Sequence, residues 1–113
     1  MTAGDYIRLG IQKFPRQIFH RAYEGTTGAC VVGCLTWAVG RDLGTGSFDL
    51  GLGLDHTSEG PVVCPVCECD QLTIWDQMIH LNDYHRWTRE AIAQWVDILP
   101  QTDTMPPLAA QAA

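Results

Sequence analysis

The sequence predicts a mainly α fold of about four helices, in which a small cysteine knuckle leads into a C-terminal pair arranged like a helix-turn-helix. Three observations carry that expectation. Apolar residues recur at helical intervals in four stretches, a glycine-rich segment divides the first two from the last two, and Cys and His gather where the third begins. The chain has 113 residues, 46% of them hydrophobic and 18% charged, the composition of a folded domain. One domain is expected over residues 1–99, made of N-terminal helices (1–39), a Gly-rich loop (40–61) and a knuckle with two helices (62–99), before a flexible tail over 100–113.

Residues 3–13 carry Tyr6, Ile7, Gly10 and Ile11 at helical spacing, with Phe14 just beyond. Thr2 and Asp5 form a capping box at the start, and Pro15 ends the run. The second helix is read over residues 28–39, where Cys30, Val31, Cys34, Leu35 and Ala38 make one apolar face. Six of the eleven glycines lie between positions 40 and 60, and the alternation Phe48, Leu50, Leu52, Leu54 suits an edge strand within an extended loop. Residues 61–70 form a turn-rich knuckle. Leu72, Trp75 and Ile79 mark a helix over residues 72–85. Thr88 caps a last helix, in which Ile92, Trp95, Val96 and Leu99 share a face before Pro100 stops it. Trp37, Trp75 and Trp95 read as core aromatics, and Trp87 falls in the junction where its ring would lock the last two helices together.

Cys64, Cys67, His80 and His85 are separated by two, twelve and four residues, which satisfies the two-Cys, two-His zinc pattern at every interval. A tight turn holding Pro65 presents two thiolates on one side, and the following helix supplies two imidazoles about one turn apart. Soft and borderline donors then close a tetrahedron around one structural zinc ion. Cys69, two residues past Cys67, is an alternative to it as a ligand. Asp76 and Asn82 are candidates to hydrogen-bond the ring nitrogens facing away from the metal. A tetrahedron closed by protein leaves no place for water, so the site is expected to stabilise folding rather than catalyse. No phosphate loop, nucleophile elbow or metalloprotease helix accompanies it, and the expectation is that the chain is not an enzyme.

The net charge of −6 is unevenly spread. Residues 1–21 hold Arg8, Lys13, Arg16 and Arg21 against Asp5 alone, whereas residues 61–113 hold Arg86 and Arg89 against seven carboxylates. The N-terminal cations read as a solvated face. Fingers that read DNA carry a large apolar residue four after the second Cys and a Leu three before the first His, where this chain has Gln71 and Gln77. The helix face that would enter a major groove offers Thr73, Asp76 and Gln77 with no Arg or Lys, which disfavours nucleic acid as a partner. A protein partner is expected instead, met by Asp76, Asp83, Glu90 and Asp97. Five cysteines, an odd number, argue against a disulfide framework. Cys30 and Cys34, at i and i+4 on an apolar helix, read as small buried residues, with a second metal site or a redox pair as the alternative. His20 and His56 lack partners at diagnostic spacing.

The segment His80-Leu81-Asn82-Asp83-Tyr84-His85-Arg86-Trp87-Thr88-Arg89-Glu90-Ala91-Ile92-Ala93-Gln94-Trp95, with Gly28-Ala29-Cys30-Val31-Val32-Gly33 upstream, resembles stretches of small uncharacterised proteins of bacteriophages, prophages and bacteria. The resemblance implies a mobile-element origin and supplies no established activity. It suggests a phage-type accessory protein that binds a host or phage protein, with a nucleic-acid-binding regulator and a structural virion subunit as alternatives. No basic n-region with a following apolar core opens the chain, and its longest apolar stretch, residues 29–39, is too short to cross a bilayer. No membrane contact and a cytoplasmic location are expected, in the host cytoplasm or the virion if the chain is phage-encoded.

Overall fold

The computed structural model describes residues 2–43, 62–71 and 73–99, with backbone alone at 42 and 43. The alternation Phe48, Leu50, Leu52, Leu54, together with His56, Leu72 and the 100–113 tail, lies outside the described residues.

Helix α1 spans Ala3–Lys13 and starts on the expected capping box. The Asp5 amide donates to Thr2 Oγ1 (3.1 Å) and the Thr2 amide to Asp5 Oδ2 (3.0 Å), so two amides of the open helix end are satisfied reciprocally. The bond from the Thr2 backbone, more than any other influence, holds the Asp5 carboxyl below its ordinary range. Phe14 closes the helix through its amide on Gly10 O (2.8 Å) before Pro15. Tyr6, Ile7 and Gly10 face inward.

Gly28 does not start a helix, contrary to the sequence expectation. The chain after Pro15 forms three two-residue strands, β1 (Arg16–Gln17), β2 (Tyr23–Glu24) and β3 (Gly28–Ala29), in the order β1-β3-β2. β3 pairs parallel to β1 and antiparallel to β2, and both of its residues are buried. With hydrogen-bonded neighbours on both sides, Gly28 and Ala29 are extended and central, so helix α2 starts later, at Val31, and runs to Leu43. It therefore covers residues 40–43, which the sequence reading assigns to the loop.

Strands β4 (Val62–Val63) and β5 (Asp70–Gln71) form an antiparallel hairpin that carries the cysteine turn. Helix α3 spans Ile74–Asp83, capped by Thr73, whose Oγ1 accepts the Asp76 amide (2.9 Å). It ends sooner than the expected His85, because Tyr84 caps it and Arg86 turns into the left-handed region (φ 54°). Helix α4 spans Arg89–Asp97, with the Ala91 amide on Thr88 Oγ1 (3.1 Å).

The core draws on every helix: Ile7, Leu35, Ile74, Met78, Leu81 and Ile92 are each no more than 1% exposed. Trp37, Trp75 and Trp87 pack partly buried against it. α1 lies between α2 and α4 and packs far more extensively on each than α3 does on α4. Two side chains weld this arrangement. Arg8 on α1 donates to Glu90 (2.8 Å) and Asp97 (3.1 Å) on α4. Arg89, 4% exposed, donates to the carbonyls of Phe14 (2.6 Å), Pro15 (3.0 Å) and Ala29 (3.1 Å) and to Cys34 Sγ (3.2 Å). The carbonyls past the C-terminal end of α1 thus find their donors in a buried cation.

Candidate metal centre

The site is assembled from a hairpin and a helix end. In the hairpin, Val62 opposes Gln71 and Val63 opposes Asp70, and the Cys64 amide continues the ladder onto Cys69 O (2.9 Å). Between them the chain turns through Pro65, Val66 and Cys67, and Glu68 takes a left-handed φ of 65°. The turn aims two amides at one sulfur: those of Val66 (3.3 Å) and Cys67 (3.5 Å) both reach Cys64 Sγ. Cys64 is fully buried while Cys67 is exposed. Both amides thus make the Cys64 sulfur the acceptor of the turn.

His80 lies in the last turn of α3, and His85 follows the helix, outside it, where the sequence reading puts both imidazoles on the helix. The turn at Tyr84 swings His85 back, so that His85 Nε2 lies 3.1 Å from His80 Nε2 with the rings 85° apart. Cys67 Sγ lies 3.4 Å from His80 Nε2. One ligand atom from each of Cys64, Cys67, His80 and His85 lies within 4.8 Å of all the others. Bond lengths of 2.0–2.3 Å at tetrahedral angles separate ligand atoms by about 3.3–3.8 Å, so the two named edges are already near that value and the widest separation closes by at most about 1 Å. Burial, and secondarily the neighbouring His85, push the His80 pKa down, favouring the neutral base that a metal requires. These four residues are able to hold one metal ion.

Compared with protein-family models, with curated proteins and with solved structures, the chain matches none of them.

The remaining sequence candidates are distributed unequally. Cys69 lies outside the foursome but beside it, its Sγ 3.7 Å from His80 Nε2. Asn82 does not serve the imidazoles: it is 1% exposed, accepts from Gln17 Nε2 (2.9 Å) and the Val31 amide (3.2 Å), and donates to Ile18 O (3.0 Å) and Asp83 Oδ1 (2.8 Å). Three of these four bonds tie α3 to the residues of and beside the small sheet and to the start of α2, and the fourth stays within α3. Asp76 and Asp83 line a groove of about 290 Å³ together with His20, Ile79, His80 and Tyr84. Asp83 also accepts the His20 amide (2.9 Å), which gives His20 a structural partner. Glu90 and Asp97 face α1 instead, engaged with Arg8. Cys30 and Cys34 are buried and free, and burial raises both thiols above their ordinary pKa.

Gln77 is the residue that sequence reasoning registers only as a departure from DNA-reading fingers. It is fully buried, and its amide donates to Val62 O (2.8 Å) and Cys69 O (3.3 Å), fastening the hairpin to α3 from behind. A Leu there would leave the Val62 carbonyl without this donor.

Proposed function

We propose that this protein is a zinc-stabilised binding module: one structural zinc ion on Cys64, Cys67, His80 and His85 fixes the hairpin against α3, and the surface beside it engages another protein. The observation that carries the reading is the convergence of two thiols and two imidazoles within 4.8 Å of one another, with two backbone amides already turned toward Cys64. Two thiolates and two imidazoles select zinc among the common divalent ions, and four protein donors leave no open position for a substrate, so the role is structural and not catalytic.

The contact surface in this reading is the groove beside the metal, with Asp76, Asp83 and the 72%-exposed Tyr84. A protein of a phage or its host is the proposed partner, the class to which the resemblance of residues 80–95 points. The engagement of four of the seven cations supports protein over nucleic acid. Arg8 is held by Glu90 and Asp97, Arg16 by Glu24 (3.0 Å), Arg86 stacks over Phe19 (4.1 Å) and Arg89 is buried, which leaves them poorly placed for a phosphate backbone. The helix-turn-helix-like pairing of α3 with α4 belongs to this proposal as the frame that presents the groove.

Elemental analysis of the purified protein tests the metal assignment, one equivalent of zinc per chain being expected. A folded protein that holds no zinc, and whose circular dichroism is unchanged by a strong chelator, would overturn it. Asp76→Lys should weaken capture of the partner while zinc content stays the same, whereas retention on DNA that fades steeply with salt would replace the protein-binding reading.

A further inference from the structure

The geometry points to Cys69 as an exchangeable ligand of the same centre, able to take the place of Cys67 without loss of the ion. This inference rests on the proposed metal site. Residues directly opposite in an antiparallel pair carry their side chains on one face. The register that sets Val62 against Gln71 and Val63 against Asp70 next sets Cys64 against Cys69, and the Cys64 amide on Cys69 O shows that the pairing continues. Cys69 therefore leaves the hairpin on the face that Cys64 uses for the metal. Its sulfur stands 3.7 Å from His80 Nε2, against 3.4 Å for Cys67, and the sulfur-to-nitrogen edge of a tetrahedral zinc site, about 3.5 Å, falls between the two.

Three of the donors are fixed in place. Cys64 is buried under its two amide bonds, His80 is set by α3, and His85 by the turn that caps that helix. Cys67 and Cys69 flank the turn residue Glu68 and are both exposed, so either thiol reorients without disturbing the core. Five donors thus serve four positions, with the surplus confined to one position. The exchange is balanced: Cys69 gives up its thiol proton on binding, the departing Cys67 thiolate takes one up, and the ion keeps its charge and its other three ligands. An exchangeable thiol lets the ion move between partners one bond at a time, and keeps the site loaded when one exposed sulfur has been blocked.

Cobalt(II) added to the 113-residue chain is the probe, because thiolate-to-cobalt charge-transfer absorption grows with the number of bound thiolates. Wild type, Cys67→Ser and Cys69→Ser should all bind one equivalent with the same two-thiolate intensity, and the double variant should fall to roughly half of it. A Cys67→Ser protein with single-thiolate intensity overturns the inference while leaving the metal site standing, and so does a loss in Cys69→Ser. A wild type without any thiolate band overturns the metal site itself. A second measurement avoids substitution: brief alkylation of the metal-loaded wild type should yield two singly labelled, metal-retaining populations, one at Cys67 and one at Cys69, with Cys64 protected. Label at Cys69 alone would show a bystander thiol and overturn the exchange.

Discussion

Cys34 carries its thiol into the interior beside a guanidinium, and the two influences oppose each other. Desolvation outweighs the pull of Arg89, 3.2 Å away, and the thiol is raised from an ordinary 9.0 to about 11. Folding therefore favours the protonated thiol, a contribution fully present below the unfolded value of 9.0 and lost as pH rises through about 11. Across that window stability should fall by about 3 kcal/mol. Burial raises Cys30 and Tyr23 in the same direction. Urea unfolding followed from neutral to alkaline pH checks this: Cys34→Ala should flatten part of the decline, and an unchanged slope in that variant would clear Cys34 as its cause. The burial of both cysteines was legible from their spacing within an apolar run. Arg89 was not, because its partners, Phe14, Pro15, Ala29 and Cys34, lie 55 to 75 positions away and three of them act through backbone oxygens that leave no mark on side-chain pattern.

Among the elements, α1 shows where local propensity and packing disagree. A mid-helix glycine costs about 1 kcal/mol relative to alanine, so Gly10→Ala would stabilise an isolated helix. In the fold, a Cβ at Gly10 would run into the backbone of Cys34 on α2, which cannot yield without shifting that helix. Gly10→Ala should therefore lower stability by about 1–3 kcal/mol, read as a reduced thermal midpoint. A raised midpoint would mean that α1 and α2 separate freely. The helices themselves were legible because Tyr6, Ile7 and Gly10, or Ile92, Trp95 and Val96, fall at helical spacing. The strands are two residues long, too short for any alternation to register, and Gly28-Ala29 before a long apolar run reads as the run's beginning. The Cys and His cluster was legible for the opposite reason: its four residues lie within one continuous stretch, and their intervals alone suggest the turn and the helix between them.

At the scale of the molecule, the helices divide between two sources of support. The hairpin and α3 meet around the proposed ion, whereas α4 is held by α1 through Arg8 and by the buried Arg89. Removing the metal with a chelator should therefore raise amide exchange most over residues 62–71 and 73–85, while 89–97 keep the greater protection. Hydrogen exchange monitored by mass spectrometry reads this directly. Equal loss in α3 and α4 would show that the ion supports both helices as one body, with Trp87 as their shared lock. Much of the stretch from 80 to 90 has a structural task that needs no partner: Leu81 fills the core, Asn82 and Arg89 hold the N-terminal half, and Thr88 caps α4.

The bonds from Arg8 to Glu90 and Asp97 join positions 82 and 89 residues apart. A chain leaving the ribosome N-terminus first has α1 and α2 in hand long before the helix that covers the other side of α1 has been translated. Contacts of such long range are the slow ones to form. Until Asp97 has been made, the apolar flank of α1 stays open to chaperones and to other nascent chains, and α4 closes it only after residues 89–97 have been translated.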